Sequence, residues 1–98
     1  MKTQKTKFGY EVSEVMYLGK SFDEIKELIP KGWKIISYQK CSQLYQTIIR
    51  GECIWCLDNE GKSARFNVNW YGAELYCDWD PSIPDSSLGV RFVREIKK

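Results

Sequence analysis

The residue pair with the most obvious chemical potential is Cys53 and Cys56 in the phrase Cys53-Ile54-Trp55-Cys56. Two thiolates at this spacing can hold one zinc ion or form a redox pair when a tight turn brings them together. The surroundings do not provide such a turn: the phrase is apolar, neither Gly nor Pro makes a knuckle, and strand alternation sends Cys53 and Cys56 to opposite faces. Buried structural thiols are therefore expected, and no metal or cofactor is assigned. Cys41 and Cys77 lack a companion motif, although an exported copy would permit a disulfide.

The chain contains no histidine. That removes Ser-His-Asp and Cys-His arrangements and the commonest general base at neutral pH. Carboxylates remain: Asp78 and Asp80 flank Trp79, near enough in sequence to share a cation or to bind a sugar hydroxyl, with a solvated acidic turn as the simpler reading. Asp58-Asn59-Glu60-Gly61 resembles part of a calcium loop, but a hairpin turn accounts for it without a ligand. No catalytic residue is assigned, and the chain is expected not to be an enzyme.

A binding surface is the better candidate. Trp70, Tyr71, Tyr76 and Trp79 crowd the longest predicted loop, and Tyr and Trp supply stiff contact area with a polar handle. Trp70 is expected in the core by alternation. Arg65, Asn67 and Asn69 would lie on the wet face of the adjoining strand, as hydrogen-bonding groups for a partner or as ordinary solvated residues. The predicted partner-binding set is thus Arg65, Asn67, Asn69, Tyr71, Tyr76, Asp78, Trp79 and Asp80.

These groups need elements to hold them. Apolar residues at even positions over 8–18, broken only by Glu14, predict a half-buried strand. Ser21 and Glu24 have capping-box spacing, with Phe22, Ile25, Leu28 and Ile29 as an apolar stripe that Pro30 and Gly32 terminate. Residues 33–36 are a short extended piece. Ser37 can cap a second helix whose inward face is Cys41, Leu44, Tyr45 and Ile48. Residues 53–57 and 64–70 form a hairpin around the 58–61 turn, with Ala64, Phe66, Val68 and Trp70 facing inward. Strands over 74–77 and 88–96 complete an α+β domain of two helices packed on a mainly antiparallel, twisted sheet.

The order of landmarks is similar to the sulfatase-modifying, formylglycine-generating type domain and the related paralogous domains of gut bacteria, which share the C-type-lectin-like fold. The matching phrases are Lys31-Gly32-Trp33-Lys34-Ile35-Ile36-Ser37, Ile54-Trp55-Cys56-Leu57, Ser63-Ala64-Arg65-Phe66 and Leu88-Gly89-Val90-Arg91-Phe92-Val93-Arg94. They span residues 21–94. Lys34 stands where the family has Arg, Ile36 where it has Pro, and Gln39-Lys40-Cys41 where it has an acidic-Trp pair. The resemblance implies a lectin-like fold with a display surface in the loop over 71–85, and a structural role for Arg91. It implies no activity, since long stretches of the full-length family are missing and Cys77, the only late cysteine, lacks the supporting thiol.

Composition bounds the rest. With 98 residues, 43% of them hydrophobic, the chain can fill one core but not two. A formal charge of +2 from 15 basic and 13 acidic residues is too small for a phosphate-tracking protein, so no nucleic acid is expected as partner. The basic ends, Lys2, Lys5, Lys7, Arg94, Lys97 and Lys98, are explained by solubility. No apolar run has the length of a signal peptide or membrane span, so no membrane association and a cytoplasmic location are expected, with a virion-associated copy as the variant. The expected function is a non-enzymatic module of a gut bacterium or its phage that binds a protein or glycan. The alternative is a phage-borne inhibitor of a host defence or regulatory protein.

Overall fold

Both helices begin where the sequence supplies a cap. In the computed structural model, which describes residues 1–69, 72–77 and 80–96, Ser21 precedes α1 (Phe22–Lys26) and its hydroxyl accepts from the Glu24 amide at 3.1 Å. The Glu24 carboxylate in turn accepts from the Ser21 amide at 3.1 Å. This reciprocal box satisfies donors that a first helical turn leaves without helical partners. Phe22 and Ile25 are buried, but the helix stops at Lys26 and leaves Leu28 exposed, so the predicted apolar stripe is one residue narrower. Ser37 caps α2 (Tyr38–Leu44), accepting from the Lys40 amide at 3.3 Å. Cys41 and Leu44 point inward, and Tyr45 and Ile48 pack on the same cluster just beyond the helix.

Among the described residues eight strands accompany these helices: β1 (Thr3–Lys5), β2 (Tyr10–Ser13), β3 (Lys34–Ile35), β4 (Cys53–Leu57), β5 (Ser63–Asn69), β6 (Gly72–Tyr76), β7 (Gly89–Val90) and β8 (Phe92–Glu95). They form two four-stranded sheets, β1-β2-β8-β3 and β6-β5-β4-β7, rather than the one sheet expected. Every pairing is antiparallel except β4 with β7.

Two predicted strands are divided. The segment over 8–18 becomes a hairpin arm: Gly9 takes φ +89, the Thr6 amide donates to the Tyr10 carbonyl at 2.9 Å, and Phe8 is left exposed in the turn. Past Ser13 the chain leaves this sheet and meets the other one at Met16, which exchanges two backbone bonds with Val90 of β7 at 2.8 and 2.9 Å. The segment over 88–96 divides at Arg91, where one extended run serves both sheets in turn. At this crossing the Arg91 guanidinium makes two bonds to the Glu52 carboxylate, at 2.9 and 2.8 Å, and a third to the Ser13 carbonyl at 2.8 Å. Ser13 Oγ then accepts from the Phe92 amide at 2.8 Å, so a buried serine guides the chain into β8.

The two sheets share a core with two compartments. On one side Val12 of β2, Ile54 and Cys56 of β4, Phe66 of β5 and Val93 of β8 meet α2 through Cys41 and Leu44. On the other, Trp55 of β4, Val90 of β7 and Phe92 of β8 meet α1 through Phe22 and Ile25. β4 is therefore apolar on both faces, as a strand covered on both sides must be. Trp55 is fully buried, stacks edge-on with Phe22 at 5.8 Å and donates its indole N–H to the Lys20 carbonyl at 3.1 Å.

β7 tolerates its close neighbours because it opens with glycine. A Cβ on Gly89 would lie 2.5 Å from Val15 Cγ1 and 3.1 Å from the Met16 carbonyl oxygen. Replacing Gly89 with Ala is expected to destabilise the fold by about 2 kcal/mol through overpacking, read as a lower urea midpoint at unchanged slope. Removing Glu52 strands the Arg91 guanidinium, only 12% exposed. Glu52→Ala is expected to cost about 3 kcal/mol, measured by the same unfolding curve, and a loss below about 1 kcal/mol would contradict the role given to this pair.

Candidate functional site

The outer face of the β5–β6 pair collects the polar groups. In register, Arg65 lies opposite Tyr76, Asn67 opposite Glu74 and Asn69 opposite Gly72, while Phe66, Val68 and Leu75 point to the core. The alternation that places Arg65, Asn67 and Asn69 together is the predicted one. Arg65, Asn67, Asn69 and Glu74 are half-buried, however, and only Tyr76 among them is exposed, so the face is drier than the wet surface expected. Its side chains are bonded to one another: Arg65 Nη2 approaches Cys53 Sγ at 3.7 Å, the Cys53 thiol donates to Asn67 Oδ1, and the guanidinium sits 5.8 Å from the Tyr76 ring centre. The Tyr76 hydroxyl donates to Glu74, an acidic member of this face that the sequence reading left out. Asn69 Oδ1 is buried without a hydrogen-bond partner among the described residues.

The loop after β6 borders this face. Asp80 and Asp85 each close a small turn: Asp80 Oδ1 accepts from the Ser82 amide at 2.9 Å and hydroxyl at 2.7 Å, and Asp85 Oδ1 from the Ser87 amide at 2.8 Å and hydroxyl at 2.6 Å. Asp80, predicted to contact a partner, thus spends one carboxylate oxygen on loop geometry. The serine donors hold both carboxyls below the usual carboxylate range, and Arg65 adds to the effect at Asp85. The predicted site residues Tyr71, Asp78 and Trp79, like the predicted core residue Trp70, lie outside the described residues.

The thiols separate as alternation requires. Cys53 joins the polar face, whereas Cys56 is buried in the other compartment beside Cys41. The hydrogen bond with Cys56 and then burial push the Cys41 thiol well above its ordinary pKa, the reverse of what a thiolate nucleophile or metal ligand needs. Asp58 Oδ1 accepts from the Glu60 and Lys62 amides at 2.8 and 2.9 Å, which is the expected hairpin turn. Among the described residues no group of three or more Cys, Asp and Glu is placed to hold a metal ion, and no helix is long and apolar enough to cross a membrane.

A second concavity, of about 560 Å³, lies on the far side of the hairpin turn. Phe22, Trp33, Ile35 and Leu57 form its apolar floor, and Lys26, Lys34 and Lys62 stand around it. Its residues come from α1, β3, the hairpin turn and Pro81, four segments whose convergence no local pattern announces. A third groove, of about 690 Å³, runs along β8 and contains Lys5, Glu11, Lys40, Arg94 and Glu95. Two of the cations that line it are paired, Arg94 with Glu11 at 2.7 Å and Lys40 with Glu95 at 3.6 Å, and Lys34 lines it as well. Arg94 also lies 4.5 Å from the Trp33 ring centre, so it is part of the packed surface and not a frayed, solubilising end.

No protein-family model, no curated protein and no solved structure matches this chain.

Because the folded-state pKa values of Asp80 and Asp85 are depressed, the turns they close are fully supported above the unfolded carboxylate value near 4 and weaken as pH falls through the lower folded values. NMR titration is expected to show the Ser82 and Ser87 amide signals moving together below about pH 4, with Asp80→Asn and Asp85→Asn each abolishing the shift at its own serine.

Proposed function

We propose that the chain is a non-catalytic binding module that contacts a protein or glycan through the outer face of β5–β6 and the loop beside it. The observation that carries this reading is the gathering of Arg65, Asn67, Glu74 and Tyr76 on one face of a regular strand pair, held in register by its backbone ladder. Planar amide, guanidinium and carboxylate groups beside an aromatic ring can serve both hydrogen bonding and stacking, the combination concentrated at binding hot spots. Strands fix the spacing of these groups more tightly than a loop would. The mutual bonds among them lower the entropy lost when a partner orders the same side chains.

Two further points support the reading. A chain without histidine, whose Cys41 thiol is held protonated in the core, has few routes to acid-base or nucleophilic chemistry. The phrases that carry the lectin-like resemblance also lie on or beside regular elements. Gly32 and Trp33 precede α2, Trp55 is the buried centre of β4, Ala64 lies on β5, and the phrase over 88–94 supplies β7, Arg91 and most of β8. On this reading the fold is a minimal lectin-like domain and Arg91 is structural.

The test is affinity capture from cell lysate and from a glycan array, comparing the natural chain with an Arg65→Ala, Tyr76→Ala double variant whose fold is checked by circular dichroism. Loss of a hot spot is expected to weaken the captured interaction by about 30-fold or more. A single stoichiometric host enzyme among the captured proteins would favour the inhibitor reading, and retention on defined sugars the glycan reading. Undiminished capture by the double variant would remove this face from the contact surface.

A further inference from the structure

We propose that the lysine-rimmed cleft between α1, β3 and the β4–β5 turn binds a small amphipathic anion: an acyl or arylalkyl carboxylate whose apolar body lies on the cleft floor and whose head sits among the ammonium groups. This inference is independent of the β5–β6 face.

Three observations carry it. The cleft's volume, about 560 Å³, falls within the range of about 300–1,000 Å³ usual for small-molecule sites. Its floor is the outer edge of a packed core, with Phe22, Trp33 and Ile35 nearly or fully buried and Ile29 and Leu57 partly so. Such a floor is set by the fold and does not have to be assembled by the ligand. The charges around it are unbalanced, since Lys26, Lys34 and Lys62 face the cleft with Asp23 as the only acid among the described lining residues.

The existing ion pairs do not cancel that excess. Lys26 lies 3.8 Å from Asp23 and Lys62 lies 3.4 Å from Glu60, with side chains at least half exposed in both pairs. Pairs of this kind contribute little, so either ammonium can turn toward an incoming carboxylate at small cost. Lys34 has no ion-pair partner among the described residues. The groove along β8 provides the contrast. It is larger and shares Lys34, but among the described residues its apolar lining is only Val93 and Ile96, without the aromatic floor that Phe22 and Trp33 give the cleft. Apolar contact alone would accept alcohols, amines and acids alike; the lysines are what select the acid.

The experiment is an NMR titration of the intact chain with sodium decanoate and, separately, with decylammonium chloride, both kept below their micelle concentrations. Saturable shifts centred on Phe22, Trp33 and Leu57 are expected with decanoate, together with about tenfold weaker binding of decylammonium, the equivalent of one charge-assisted hydrogen bond. The Lys34→Glu, Lys62→Glu double variant changes two exposed side chains and is expected to keep the spectrum of a folded chain while losing the preference for decanoate. Lys62→Glu alone is expected to give an intermediate preference. Equal affinity for the two amphiphiles, shifts centred on the β8 groove, no saturable binding by decanoate, or binding only to anionic lipid vesicles and not to monomeric decanoate would each overturn the assignment.

Discussion

The fold turns on a single bidentate ion pair. Arg91 sits where the final extended run passes from the sheet containing β4 to the sheet containing β2, and its guanidinium ties Glu52, just before β4, to the Ser13 carbonyl at the end of β2. Its own carbonyl accepts from the Ile36 amide at 3.0 Å, and the Ile36 carbonyl accepts from Leu57 at 3.0 Å. One residue thereby fixes the relative placement of β2, β3, β4 and β8. A pair this well covered gives little net stability over an apolar substitute, but it penalises any arrangement in which one partner is left alone. The fork geometry is also specific: a lysine at position 91 could not make both bonds to Glu52 in one plane.

That constraint explains why one strand must be apolar on both faces. With the sheets joined through Arg91, β4 lies between the α2 compartment and the α1 compartment, and Ile54 and Cys56 face one while Trp55 faces the other. The phrase Cys53-Ile54-Trp55-Cys56 reads as a metal or redox motif only when this burial is ignored. In the fold its two thiols are on opposite sides of a strand, one near Asn67 and the other near Cys41. The spacing is a product of two-sided packing.

The parts of the fold that were legible in the sequence are those decided within a few residues. Ser21 with Glu24 and Ser37 mark helix starts because a cap is a local hydrogen-bond problem. Asp58 and Gly61 mark the hairpin because turn geometry is equally local. The division at Arg91 was not legible, since the alternation of residues 88–96 runs through it and only Glu52, 39 residues away, shows where the chain must cross. The turn closed by Asp80 was not legible for a related reason: an exposed acid in a loop carries no local sign that the Ser82 amide and hydroxyl occupy one of its oxygens. On β5 the alternation gave the correct face, but the half-burial of Arg65 and Asn67 depends on Cys53 and on the later loop. The lysine-rimmed cleft lay beyond local reasoning altogether, because Lys26, Lys34 and Lys62 belong to three separate elements.

The two candidate surfaces are linked by one segment. The Asp23 amide, in the first turn of α1, donates to the Pro81 carbonyl at 3.0 Å, and Asp23 and Pro81 both line the lysine-rimmed cleft. Four residues later Asp85 is close enough to Arg65 for the guanidinium to help hold its carboxyl ionised. The stretch over 80–87 therefore lines the cleft at one end and comes within electrostatic reach of Arg65 on the polar β5–β6 face at the other. Its shape is kept by two serine-closed turns, with little apolar packing of its own, since Ile83 is exposed. Segments held in this way open at lower free energy than the sheets that flank them. A ligand that ordered the Pro81 end would reduce the conformational freedom left to the Asp85 end, and a partner on the β5–β6 face would then have less ordering to impose. Coupling of that kind acts in both directions and needs no movement of the sheets, because it resides in the stretch over 80–87.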